Sequence, residues 1–148
     1  MPLLTFVAPK KDPRFFTPNR LGVDDNTYNS IIQSVQAQTP ASAQLTDSAN
    51  IDTDASIAEN FYVILAGNRT MNAPTNPVNW KKIRYLLYQD NTGSRTLSWD
   101  ASFRFSATLP SPTLTTTAGY MDIVEFVYNP ISLYWDCLLI DKGFQPPP

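Results

Sequence analysis

The segment KIRYLLYQDNTGSRTLSW, residues 82–99, is the part of the sequence that best indicates the fold class. Successive side chains of a strand point to opposite faces, so that Ile83, Tyr85 and Leu87 in its first half would share one face. The opposite face is also partly apolar, because it carries Leu86 and Tyr88 beside the charged Lys82 and Arg84. This pattern predicts a strand that is central in its sheet or covered on both sides, and a partner subunit could supply the second cover.

A polar corner follows this strand and consists of Asp90, Asn91, Thr92 and Gly93. Asp and Asn favour turns because their side chains bond to nearby backbone groups, and Gly readily adopts a positive φ. The return segment Arg95–Trp99 alternates again, with Leu97 and Trp99 on one face. We therefore predict a β-hairpin whose turn is formed by residues 90–93, and not a chemical site.

The composition predicts a single mainly-β domain, built as a β-sandwich or a barrel-like module. The chain has 148 residues with 13 Pro, 12% aromatic residues and only 16% charged residues, a balance typical of sheet proteins with many turns. Short apolar stretches separated by turn residues run over residues 43–144. A second hairpin is predicted between residues 120–128 and 133–140, and residues 145–148 form a proline-rich tail.

Residues 1–42 are predicted to form an extended arm followed by one short helix. Four prolines disfavour regular structure in the arm, which nevertheless carries the apolar residues Leu3, Leu4, Phe6, Phe15 and Phe16. The arm could fold back on its own domain or lie on a partner. The helix, over residues 24–38, presents one apolar face formed by Tyr28, Ile31, Ile32 and Val35. That face could pack in the core or form a helical seam in an oligomer.

Few kinds of catalytic chemistry are open to this sequence. It contains no His and a single Cys, Cys137, which excludes Ser-His-Asp catalysis and Cys/His zinc sites. A glycosidase built on two distant carboxylates remains an alternative, but Asp122 and Glu125 point to opposite faces of one strand. We expect no enzymatic activity, no cofactor and no metal.

The net charge and the lack of targeting signals indicate where the protein is made and which partners it does not bind. The net charge of −2 offers no basic surface for nucleic acid. We find no apolar stretch of membrane-spanning length and no signal peptide. We therefore expect a protein that is made or assembled in a cytoplasm and binds neither nucleic acid nor a membrane.

Three segments resemble a small β module found in virion surface proteins of tailed bacteriophages. They are NFYVILAGNRTMNAPTNP (60–77), YQDNTGSRTLSWDASFRF (88–105) and PSPTLTTTAGYMDIVEFVY (110–128). The module occurs in C-terminal regions of tail fibres and tail spikes and in some head-surface proteins. Its Gln-Asp-x-x-Gly-x-Arg-Thr pattern is matched at Gln89, Asp90, Gly93, Arg95 and Thr96. Where the family often has Gly-Gly, this chain has Ser106–Leu109, so that loop is expected to differ.

The resemblance covers residues 43–144 and implies a homotrimeric, non-catalytic structural module on the virion surface. Two roles stay open. In the first, the chain is a capsid decoration or cement protein, and its arm contacts the major capsid protein or other virion proteins. In the second, it is a short tail-fibre or tail-tip protein that recognises a host-surface glycan. Aromatic residues that could stack on sugar faces if exposed are Trp80, Trp99, Tyr120, Tyr128, Tyr134 and Trp135. The short length of the chain favours decoration of the head over a fibre.

Overall fold

The computed structural model describes residues 24–36 and 41–147, and within them it shows one helix and two β-sheets. The helix, α1, spans Asp25–Gln36. The strands of residues 41–147 are β1 Ser42–Gln44, β2 Asn50–Ile51, β3 Asn60–Leu65, β4 Arg69–Met71, β5 Lys82–Gln89, β6 Leu97–Trp99, β7 Phe103–Arg104, β8 Met121–Asn129 and β9 Tyr134–Phe144. The predicted mainly-β fold class is confirmed.

The helix begins directly after a capping residue. The Asp24 carboxylate accepts hydrogen bonds from the Thr27 backbone N–H (2.9 Å) and from the Thr27 hydroxyl (2.7 Å), which caps the first turn. On the predicted apolar face, Tyr28 is half-buried and Ile31 is exposed. The side chains of Ile32 and Val35 lie outside the described part of the chain, as do all the arm residues 1–23.

The chain alternates between the two sheets in its first half. The strands β1, β3 and β5 are parallel neighbours in a six-stranded sheet of order β1-β3-β5-β8-β9-β7. The strands β2, β4 and β6 are parallel neighbours in a three-stranded sheet. Each turn of the chain therefore adds one strand to each sheet, as in a β-solenoid. The connection between two neighbouring parallel strands of one sheet contains a strand of the other sheet.

The hairpin predicted across residues 90–93 is wrong. β5 pairs with β3 and β8 in one sheet, whereas β6 pairs with β4 in the other. Residues 90–96 are therefore the corner by which the chain passes from one sheet to the other. The second predicted hairpin is confirmed, because β8 and β9 are antiparallel and register Asn129 opposite Tyr134.

One apolar core fills the space between the sheets. Its side chains come from alternate positions of the strands, so that β5 contributes Ile83, Tyr85 and Leu87, each almost completely buried. The rings of Tyr85, Trp99, Phe103 and Phe126 form a cluster with centroids 4.7–6.2 Å apart. The Tyr85 hydroxyl and Thr53 Oγ1 are 3.1 Å apart, and burial raises the pKa of Tyr85 far above its usual value.

The six-stranded sheet has two ends, which are called the entry end and the corner end. At the entry end, β1, β3 and β5 begin, β8 ends and β9 begins. At the corner end, β1, β3 and β5 end, and the chain turns towards the second sheet.

Candidate functional surfaces

The corner at residues 89–96 is held together by its own side chains. The amide of the buried Gln89 accepts a hydrogen bond from the Arg95 N–H (2.8 Å) and donates one to the Arg95 carbonyl (3.0 Å). Asp90 Oδ1 accepts from the N–H groups of Thr92 and Gly93 at 3.0 and 2.9 Å. These bonds satisfy backbone groups that a hairpin partner would otherwise satisfy, so the corner can form without strand pairing.

An ion pair and a glycine complete this corner. The Arg95 guanidinium contacts the Asp90 carboxylate at 2.7 Å and lowers the pKa of Asp90 below its usual value. Gly93 has φ of 72°, as its predicted turn role required. A Cβ at this position would lie 2.5 Å from the Thr116 carbonyl oxygen, so both the backbone conformation and the space require glycine.

Neighbouring corners stack on one another at the corner end. Asp47 and Arg69 form a two-point ion pair with contacts of 2.8 and 2.6 Å, which lowers the pKa of Asp47. The Asn68 side chain accepts from the Thr96 N–H at 3.1 Å, and the Thr96 carbonyl accepts from the Arg69 N–H at 2.9 Å. The polar groups of this end are therefore bonded mainly to each other, and the residues of the family-like pattern at 89–96 have structural roles.

The outer face of the six-stranded sheet is apolar towards the corner end. The strand β5 is central in this sheet, and both of its faces carry apolar side chains, as its sequence predicted. Register places Tyr62, Leu86 and Ile123 in one row across three strands. The next row contains Ile64, Tyr88 and Met121, of which Ile64 is 51% exposed. Tyr62 and Ile64 are exposed on this face, whereas Leu86 and Tyr88 are half-buried.

A second apolar surface lies at the entry end. Its large exposed side chains come from turns and strand ends that are distant in sequence: Ile57, Val78, Trp80, Ile131, Leu133 and Tyr134. The Trp80 N–H donates to the Tyr128 carbonyl at 3.0 Å, which fixes Trp80 beside the last residues of β8. Leu133 closes the turn between β8 and β9 by donating from its N–H to the Asn129 carbonyl at 2.8 Å.

The six aromatic residues considered for sugar stacking do not form one platform. Trp80 and Tyr134 are exposed at the entry end, and the Arg104 guanidinium lies 5.3 Å from the Tyr134 ring centre. Trp135 is buried with its ring 5.1 Å from that of Tyr128. The remaining members, Trp99 and Tyr120, are half-buried.

The two carboxylates on β8, Asp122 and Glu125, are bonded in structural roles. Asp122 is buried and accepts from the N–H groups of Thr115 (2.6 Å) and Gly143 (2.9 Å). Glu125 lies on the outer face and pairs with Arg84 at 2.6 Å. In the described residues no three His, Cys, Asp or Glu side chains come together as a metal site, and the same part of the chain has no helix that is both long and apolar enough to cross a bilayer.

The sequence predicted an apolar outer sheet face and named Trp80 and Tyr134 as candidates for sugar stacking, but it did not predict that apolar residues gather at the entry end. The signal was present, because Val78, Trp80 and Ile131 are large apolar residues inside Asn- and Pro-containing turns, where polar residues are usual. Comparison of the chain with protein-family models, with curated proteins and with solved structures found no match.

Proposed function

We propose that this chain is a structural protein of a bacteriophage virion, a capsid decoration or cement protein that binds the head surface and has no enzymatic role. The support from sequence is the resemblance of residues 43–144 to virion surface modules. The support from the fold is a β module whose turns at the entry end carry exposed apolar side chains, whereas its corner segments are ion-paired. A module of this kind is suited to binding a large surface through one end while the other faces solvent.

The observation that carries the proposal is the place where the chain enters the module. Ala41 leads directly into β1 at the entry end, which also carries the exposed apolar side chains of Ile57, Trp80 and Leu133. The preceding segment contains Leu3, Leu4, Phe6, Phe15 and Phe16. In this proposal, these arm residues contact capsid subunits next to the place where the module sits.

Binding of this kind would stabilise the head by mass action. A protein that binds only the assembled lattice lowers the free energy of that state and raises its apparent stability. The proposal includes a homotrimer, for which the apolar outer face with Tyr62, Ile64 and Leu86 offers a contact surface. Light scattering of the purified chain tests this state directly, and a monomer at all concentrations would contradict it.

The experiment that tests the role of the arm is deletion of residues 1–23. Particles made without this chain are mixed with the full chain or with the truncated chain, and bound protein is measured after sedimentation. We expect the truncated chain to fold and to keep its oligomeric state but to lose particle binding. Unchanged occupancy by the truncated chain would contradict the arm hypothesis.

A tail-fibre or tail-tip protein that recognises a host-surface glycan is the second candidate. Exposure of Trp80 and Tyr134 at one end favours it, because aromatic faces stack on sugar rings. In that case the purified chain should compete with the phage for adsorption to host cells. A lack of competition at saturating protein would eliminate this candidate.

A further inference from the structure

We infer that residues 106–118 form a strap that covers the free edge of β6 and keeps this edge from pairing with a second copy of the chain. Two side chains of the β8–β9 hairpin, Asp122 and Lys142, hold the strap in place. This autoinhibitory contact is independent of the proposed function, because it concerns association of the module with itself.

The edge that needs covering belongs to β6, the last strand of the three-stranded sheet. Among the described strands, β6 pairs with β4 alone. The Asp100 N–H, directly after β6, donates to the Met71 carbonyl of β4 at 2.9 Å. Because the backbone groups of successive residues point to opposite edges of a strand, the N–H and C=O groups of Leu97 and Trp99 point away from β4. An edge of this kind is a template for a strand of another molecule.

The strap runs beside this edge without adding a strand to it. Its Thr116 carbonyl accepts from the Ser94 N–H at 2.7 Å, and its Leu114 side chain is buried. A cavity of about 200 Å³ lies between the strap and the start of β6 and is lined by both. Two prolines of the strap, at positions 110 and 112, have no backbone N–H with which to extend a ladder. The strap therefore blocks the edge of β6 and presents little edge of its own.

The exposed residues of the strap are mainly Ser, Thr and Pro. The terminal turns of repeat folds need a polar outer face to stay soluble. The strap supplies such a face after the last turn of the solenoid-like part of the chain.

Two charged side chains of the six-stranded sheet act as latches for the strap. The buried Asp122 accepts from the Thr115 N–H through Oδ2 at 2.6 Å and from the Gly143 N–H through Oδ1 at 2.9 Å. The Lys142 Nζ donates to the Thr113 carbonyl at 2.5 Å. Hydrogen bonds with one ionised partner are stronger than those between neutral groups. Because the latches are side chains, substitution can release the strap while the strand ladders keep their backbone bonds.

A second copy of the chain suits the released edge because the three-stranded sheet has two complementary edges. The strand β2 forms its other edge and, like β6, runs parallel to β4. The strand β6 of one copy can therefore continue the parallel ladder onto β2 of the next copy. Such a contact is head-to-tail and does not close, so it produces assemblies that grow with protein concentration.

The test compares two double variants of the full chain that change the charge in the same way. The latch variant, Asp122→Asn with Lys142→Met, removes one carboxylate oxygen that accepts from the backbone and the ammonium group that donates to the strap. The control variant combines Asp141→Asn with Lys82→Met. Asp141 is an exposed neighbour on β9, and the Lys82 side chain is 64% exposed and lies 3.8 Å from Glu125.

Native hydrogen exchange, read by mass spectrometry, measures the opening of the strap. We expect the amides of residues 106–118 to exchange about tenfold faster in the latch variant than in the unsubstituted chain. The control variant should match the unsubstituted chain, and the amides of β5 should be unaffected in both variants. In the unsubstituted chain itself, the strap should exchange before β5. Exchange of the strap only together with β5 would overturn the inference, whether or not the latch variant folds.

Sedimentation velocity measures the association that the strap prevents. We expect the latch variant to form species that are larger than those of the unsubstituted chain and that grow with concentration, whereas the control variant keeps the original size. Ser98→Lys, added to the latch variant, places a charge on the exposed face of β6 and should restore the original size. Faster exchange without added association, or association that Ser98→Lys leaves unchanged, would overturn the inference.

Discussion

Substitution of Gly93 by alanine tests the account of the corner most sharply. Gly93 has φ of 72°, and an alanine there would lose about 1–2 kcal/mol from the left-handed conformation alone. Its Cβ would also lie 2.5 Å from the Thr116 carbonyl oxygen and 2.9 Å from the Ala118 nitrogen. These are backbone atoms, so relief requires the loop at residues 116–118 to move away.

That movement breaks a specific contact. The Thr116 carbonyl accepts a hydrogen bond from the Ser94 N–H at 2.7 Å, and loss of such a bond between two exposed residues costs about 0.5–1.5 kcal/mol. The total expected loss for Gly93→Ala is therefore about 1.5–3.5 kcal/mol in the free energy of unfolding. With a urea dependence of about 2 kcal/mol per molar, this lowers the midpoint by roughly 0.8–1.8 M.

Gly119→Ala is the matched control for this measurement. Gly119 also has a positive φ, 76°, but a Cβ there would meet only Pro146 Cγ at 3.6 Å, an ordinary contact. The control should lose only the conformational part, about 1–2 kcal/mol. Urea unfolding followed by tryptophan fluorescence compares the three proteins, and two alanine variants within about 0.5 kcal/mol of each other would refute the close-contact argument.

Three further predictions concern the corner and the core. Arg95 lowers the folded-state pKa of Asp90. The ionised Asp90 carboxylate therefore stabilises the fold fully above the unfolded pKa of about 4, and this contribution is lost as pH falls through the folded pKa. Asp90→Asn should therefore lower the free energy of unfolding at pH 7, and the difference from wild type should shrink towards pH 2; a constant difference would contradict this. Tyr85→Phe removes the hydroxyl bonded to Thr53 and should cost about 1 kcal/mol in urea unfolding, whereas no measurable loss would contradict a bond that contributes to stability. Burial raises the pKa of Cys137, so a disulfide reagent should modify this thiol far more slowly in the native protein than in urea, and equal rates would place it at the surface.

Local pattern predicted the elements of this fold better than their pairing. The alternation of Ile83, Tyr85 and Leu87 was enough to predict a strand with its buried face, because strand periodicity is a property of neighbouring residues. The positive φ of Gly93 was predicted for the same reason. Both features are encoded within a few residues.

The partner of each strand was not encoded in the same way. Leu97 lies opposite Arg69, 28 residues earlier, and not opposite β5. The Arg95 N–H that a hairpin would direct to the facing strand bonds to the Gln89 side chain instead. A polar corner with a glycine suits a hairpin and a change of sheet equally well, so the sequence around residues 90–93 could not distinguish them.

The entry-end surface depends even more on topology. Ile57, Trp80 and Leu133 are separated by more than twenty residues each and are brought to one end by the parallel course of β3 and β5 and by the β8–β9 hairpin. Apolar side chains in turns gave a local hint, but their common location followed only from the strand order. The positive φ of Trp80 (60°) and of Leu133 (61°) is likewise visible only in the backbone.

The location of the chain on the virion tests the central proposal most directly. A tagged copy of the full chain, incorporated during phage assembly and imaged by electron microscopy with a gold-labelled ligand, reports that location. The account predicts label at regular positions on the head surface, with the entry end directed towards the capsid. Label at the tail tip, or virions without label, would contradict it.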